Sequence, residues 1–208
     1  MVLLLIVSGY LAVGLRGHQD PLAGPAAPPP APPSSAGGTA PAPSRVGGPV
    51  VARSTPVALR IPAIGVAVSV SALGLNPDGT VQVPTDYQEA GWFRPGPSPG
   101  QVGSAVILGH VDSHQGPAVF FRLRSLRAGN RVEVRLADGV VAHFVVRKVA
   151  MYPKKRFPAR QVYASRGYSA LQLVTCGGEF DAQTRSYRSN VVAYTSLVAT
   201  TPAAAATD

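Results

Sequence analysis

Cysteine is nearly missing from this chain: among 208 residues there is one, Cys176. A lone cysteine excludes an intramolecular disulfide, and no Cys/His spacing suited to zinc is present. Acidic residues are scarce, 10 Asp+Glu against 19 Lys+Arg, and the segment MYPKKRFPARQVYASRGYSA (residues 151–170) has none. Calcium takes several hard oxygen ligands, usually carboxylates, so no calcium site is expected there, and no other metal or cofactor is expected. Sustained helical periodicity is rare. A full membrane-spanning run is missing too: Val2–Leu15 is uncharged but only 14 residues long, where a spanning helix takes roughly 20.

What is present is a basic balance, formally +9, with 16 arginines and 3 lysines. Such a balance favours an anionic neighbour. Nucleic acid is set aside, because no arginine run with interleaved aromatics, zinc-finger spacing or recognition-helix signature occurs. Residues 1–17 read as an N-terminal membrane anchor or signal segment, with a buried core segment as the remaining alternative. Residues 18–55, PPPAPPSSAGG and its flanks, hold almost no large apolar side chain. They cannot bury enough surface to offset chain entropy, so they read as a disordered, semi-extended spacer. Residues 201–208 are expected to fray.

From residue 56 to about 200 the texture changes. Short β-branched runs recur (VQVP, SAVILGHV, RVEVRL, VVAHFVVRKV, ALQLVTC, NVVAYTSLV) between turn signals such as NPDG, AGN and ADG. Regular short strands with such punctuation predict an all-β barrel or sandwich. The Asp-Gly step in LADGVVAHFVV is the strongest local hairpin signal. VFFRLRSLRAGN and FPARQVYASR predict one or two short helices.

Cys176 ends the apolar run ALQLVTC and is followed by two glycines, which predict a sharp turn and an uncrowded sulfur. By itself such a cysteine is either a small core hydrophobe or a nucleophile, and the second role needs a basic or cationic neighbour. His110 ends SAVILGH, also at a strand terminus; His143 reads as a strand residue and His114 as a loop residue. Arg188 opens RSNVVAYTS. A loop of about ten residues and a returning antiparallel strand would bring its guanidinium back beside Cys176, where it would hold a substrate carbonyl or an oxyanion; Arg185, in the loop, is the fallback. Asp112 either orients the imidazole or caps a turn. Tyr187 and Asn190 read as packing and turn residues.

ILGHVD (107–112), LVTCGG (173–178) and YRSNVVAY (187–194) together resemble the sortases, cysteine transpeptidases of Gram-positive cell envelopes, with class F most similar and class E next. The resemblance covers about Val57 to Val198. It implies an eight-stranded sortase-type β-barrel. Cys176 is implied as nucleophile, His110 as proton donor to the leaving amine, Arg188 as the family's arginine and Thr175 as an oxyanion-side threonine. It further implies an LPXTG-like sorting signal as substrate, a thioacyl-enzyme, and transfer to a cell-wall amine by a domain on the outer side of the membrane. The residues alone leave two other readings open: a cysteine hydrolase without productive transfer, and a non-catalytic anchored module that binds wall polymer.

Overall fold

The computed structural model describes residues 51–165 and 167–203. The segments read above as anchor and most of the spacer lie outside the described residues. Eight strands close into a barrel in the order β1-β2-β3-β4-β9-β10-β8-β7. The strands are β1 (Pro56–Ile61), β2 (Val66–Leu73), β3 (Ala90–Phe93), β4 (Gly103–Gly109), β7 (Arg131–Leu136), β8 (Val141–Pro153), β9 (Ser169–Asp181) and β10 (Ser186–Thr201). A two-residue pair, β5 (Asp112–Ser113) and β6 (Gly116–Pro117), forms a separate small hairpin. Closure leaves no free sheet edge. Of the barrel and the sandwich that strand spacing allows, the barrel is the fold observed, as the family resemblance implies.

Period-two alternation fills the lumen. Leu59 and Ile61, Val132 and Val134, Phe144 and Val146, and Leu171 and Leu173 all point into one core. Phe144 is fully buried there. β4 and β9 behave differently, because both of their faces are covered. Every residue of β4 is buried, and so is every residue of β9 from Ala170 to Gly177. This is why SAVILG and ALQLVTC read as unbroken apolar runs rather than alternating ones, as expected of a parallel pair packed on both sides. Val106, Leu108, Val174, Cys176 and Val192 form a second cluster on the outer face, with Val162 of the short helix α1 (Ala159–Tyr163) packed on it.

The Asp-Gly hairpin is where the sequence places it, between β7 and β8. Gly139 sits at φ +85°, and Leu136 exchanges backbone hydrogen bonds across the turn. VFFRLRSLRAGN yields a single 3₁₀ turn, Leu123–Ser125, and FPARQVYASR yields α1. Residues 51–55, assigned to the spacer by composition, run along the barrel. Val51 is buried in the lumen core, and Arg53 donates to the carbonyls of Arg94 (2.7 Å) and Gly96 (2.9 Å) while stacking over Trp92.

Gly91 gives a direct test of this packing. A Cβ there would lie 2.3 Å from Leu73 Cδ1. Gly91→Ala is expected to cost about 1–3 kcal/mol by overpacking, seen as a lowered Tm in a thermal melt.

Candidate active site

β4 and β9 run parallel, with Leu108 opposite Val174. His110 and Cys176 each stand two residues beyond that pair, so the two strand ends meet at one end of the barrel. On its other side β9 pairs with β10, and Asn190 is directly opposite Cys176.

The local course of β9 differs from expectation. The chain does not turn at Gly177–Gly178. β9 continues to Asp181, and the reversal is a four-residue turn, residues 182–185, with Arg185 at φ +49°. The glycines serve two other needs. Ser189 pairs with Gly177 while Tyr187 pairs with Phe180, so Gly178 and Glu179 together oppose Arg188. That is a β-bulge, and Gly178 takes the left-handed conformation it requires, φ +79°. At Gly177 a Cβ would come within 2.8 Å of Val191.

The bulge also redirects Arg188. Its guanidinium lies 3.3 Å from Glu179 and 3.5 Å from Asp181, exposed to solvent, rather than beside Cys176. The residue level with the sulfur is Asn190, in the strand and not in a turn. Tyr187 does more than pack: its hydroxyl donates to Asp112 Oδ2, joining β10 to the small β5–β6 hairpin. Asp112 therefore serves Tyr187 in the resting protein, and no hydrogen bond joins it to His110.

His110 is buried, with Nε2 2.9 Å from the Pro84 carbonyl oxygen and its ring 4.5 Å from that of Tyr87. A carbonyl only accepts, so Nε2 carries a proton and Nδ1 is the nitrogen left open. Pro84 and Tyr87 come from the 74–89 connection and carry no sequence signal that would have marked them. His143 stays away from this end, bonded to Thr201 Oγ1 at 2.8 Å.

Cys176, Gly177 and Gly178 floor a pocket of about 210 Å³ walled by Phe120, Phe121, Met151, Thr175 and Tyr187, with Arg124 at its rim. A larger cavity of about 340 Å³ adjoins it, sharing Arg124, Met151 and Val191, and has no cysteine, serine or threonine in its lining. Native proteins rarely leave buried polar atoms unpaired, and those that do tend to do so at functional sites. Among the described residues five side-chain atoms are so left: His110 Nδ1, Thr175 Oγ1, Asn190 Oδ1, Tyr163 Oη and Gln172 Oε1. Three of them surround the cysteine: Thr175 precedes it, Asn190 faces it across the ladder, and His110 ends the adjoining strand.

Burial pushes the Cys176 thiol up to about 11; the Lys154 ammonium draws it back and the Asp112 carboxylate pushes it further up. Burial, then Asp112, raises Tyr187 to about 12. At neutral pH the sulfur is therefore protonated in the resting protein. Alkylation needs the thiolate, so its rate should climb about tenfold per pH unit from pH 7 to 10 without levelling off, where an unperturbed thiol would level near 8.5. The same burial favours the folded state while the thiol is neutral. That contribution is complete below the unfolded thiol's pKa, near 8.5, and is lost as pH rises to about 11.

The closed β-barrel thus presents one thiol at the end of a doubly buried strand, with a histidine closing the adjacent parallel strand. Residues 59–198 match the sortase domain, and the chain belongs to that family. Solved structures agree in fold. Sortase C of Streptococcus pneumoniae is 17% identical over 74% of each chain, with a TM-score of 0.53. Sortase A of Listeria monocytogenes is 14% identical over 72% of this chain and 90% of its own, with a TM-score of 0.54. A lid mutant of sortase A from Corynebacterium diphtheriae is 13% identical over 71% and 72%, with a TM-score of 0.54. No curated protein matches the sequence.

Proposed function

We propose that this sortase is a membrane-anchored cysteine transpeptidase acting on secreted proteins with an LPXTG-like sorting signal and transferring them to a cell-wall amine. The observation that carries this reading is the match to the sortase domain over a segment whose only thiol floors a pocket, with the unpaired hydroxyl of Thr175 beside it. LVTCGG and YRSNVVAY favour class F within the family.

Cys176 Sγ attacks the scissile carbonyl carbon. Its proton passes to His110, whose Nδ1 is open, and from the imidazolium to the departing amine as the C–N bond breaks. The acceptor amine then attacks the thioester; a new C–N bond forms, the C–S bond breaks and the thiol is restored. Thr175 Oγ1, a hydroxyl without a partner in the resting protein, donates to the developing oxyanion or to the signal's backbone.

Arg188 joins this set by leaving its resting partners. Exposed ion pairs are worth about 0–1 kcal/mol, so a substrate carbonyl competes readily for the guanidinium now held by Glu179 and Asp181. Arg188→Ala is expected to lower kcat/KM on the order of a hundredfold, the loss of one positioned donor, while Tm stays essentially unchanged. Loss of stability with retained activity would remove Arg188 from the site.

Two further features support placement at the cell surface: the uncharged Val2–Leu15 stretch and the Pro-rich spacer after it. No helix among the described residues is long and apolar enough to cross a membrane, so the proposed anchor is residues 1–17. Such an anchor would keep the enzyme in the membrane fraction of a cell expressing the full chain, and deletion of residues 1–17 would release it. The test of activity is a quenched LPXTG peptide with and without a small amine acceptor. Ligated product supports transpeptidation. Cleavage to the free acid alone points to the hydrolase, and a folded chain that does neither points to the binding module.

A further inference from the structure

The acid-free segment 151–170 contributes a group to the site that the mechanism above does not use. Lys154, Lys155 and Arg156 form the 3₁₀ turn after β8. Lys155 and Arg156 are exposed, but Lys154 is half-buried. Its Nζ donates to Ser186 Oγ at 2.7 Å, and its positive charge is near enough to the Cys176 sulfur to favour the thiolate. The ladder explains the position. Pro153 pairs with Ser189, and Ser189 with Gly177, so the chain leaves β8 level with the Cys-Gly-Gly segment. Among the described residues Lys154 forms no ion pair with a carboxylate. Ordering a long side chain and partly dehydrating its ammonium both cost free energy, and its two neighbours avoid that cost by pointing to solvent.

The charged and titratable groups around the sulfur come from every element packed there. They are Lys154 after β8, Asp112 on β5, Tyr187 on β10, Arg124 on the 3₁₀ turn at the pocket rim, and His110 ending β4. Of these, the Lys154 ammonium is the cation that favours the thiolate, and the Asp112 carboxylate opposes it.

We infer that Lys154 is a further catalytic residue, whose ammonium holds the Cys176 sulfur as a thiolate when it attacks and again when it leaves. In the second half-reaction the electron pair of the breaking C–S bond returns to sulfur in the field of that positive charge. This later role rests on the transpeptidase reading; the effect on the free thiol does not.

The full chain has one thiol, so iodoacetamide labelling followed by mass spectrometry reads Cys176 alone. Rates are measured from pH 6 to 11 for the parent, Lys154→Met, Lys154→Arg and Asp112→Asn. Lys154→Met is expected to react about tenfold more slowly at pH 8, with its midpoint moved up, as for loss of a nearby opposite charge. Lys154→Arg keeps the charge and should stay within about threefold of the parent. Asp112→Asn should move the midpoint down. A Lys154→Met profile superimposable on the parent overturns the assignment, and so does a Lys154→Arg variant as slow as Lys154→Met. If Lys154→Met does not fold, Lys154→Gln, which keeps an amide donor for Ser186, decides in the same way: slowed labelling supports the role and parental labelling overturns it. A parent that never cleaves an LPXTG peptide, combined with slowed labelling of Lys154→Met, would sink the transpeptidase reading and leave Lys154 assigned to the sulfur. A parent that ligates peptide, with Lys154→Met matching it in kcat and labelling, would sink Lys154 alone.

Discussion

Cys176→Ala is expected to abolish both cleavage and ligation of an LPXTG peptide while the barrel stays folded. The chain offers no second thiol to substitute for the first. Removing the nucleophile of a concerted catalytic set costs on the order of 10⁶ in kcat in well-studied hydrolases, so residual turnover should fall below detection. The structural cost is small by comparison. Cys176 is buried among Val174, Leu108 and Val192, and losing one sulfur atom there should cost about 1–2 kcal/mol, at the low end for core truncations. Comparison of Tm with peptide turnover separates the two effects.

His110→Ala is expected to lower kcat/KM by about two to four orders of magnitude, the usual worth of a positioned acid–base group, while Cys176 still reacts with iodoacetamide. The contrast matters because His110 also has structural ties, to the Pro84 carbonyl and the Tyr87 ring. If it served only to hold the 74–89 connection, His110→Ala would lower Tm, and His110→Gln, which keeps a donor for Pro84, would restore activity. If it moves protons, glutamine cannot replace it and turnover stays low with Tm recovered.

The elements legible in the sequence were those with a local cause. Asp138–Gly139 announces its hairpin because the turn chemistry is in the dipeptide. The β4 and β9 strands announce themselves as unbroken apolar runs because the lumen core covers one face and the outer cluster with α1 covers the other. That the two carry His110 and Cys176 to the same end of the barrel follows from strand ends and the family resemblance together. What was not legible depended on register. Gly177–Gly178 looked like a turn because glycine permits both a turn and a bulge, and only the pairing of Tyr187 with Phe180 and Ser189 with Gly177 tells them apart. The one-residue offset sends Arg188 toward Glu179 and Asp181, puts Asn190 opposite the sulfur, and leaves Tyr187 to meet Asp112. Lys154 was invisible for a related reason: in KKR nothing distinguishes the one cation that turns inward until β8, β10 and β9 are aligned. The Pro84–Tyr87 clamp on His110 is a long-range contact made by a connection with no chemical motif of its own.

The resting geometry is that of a site waiting for its substrate. The thiol is protonated, Arg188 is engaged elsewhere, and three polar atoms around the cysteine lack partners. A peptide carbonyl entering the pocket would supply a partner for the Thr175 hydroxyl in its wall and give Arg188 a competing acceptor, so binding and activation are expected to be coupled.

The central claim is that Cys176 carries the acyl group, and intact-mass spectrometry of the full chain, acid-quenched during turnover of an LPXTG peptide, tests it most directly. The account predicts a species heavier by the acyl fragment of the peptide, mapped to Cys176, which vanishes on addition of an amine as ligated product appears. Peptide cleavage with no adduct on Cys176, undiminished in Cys176→Ala, would contradict it.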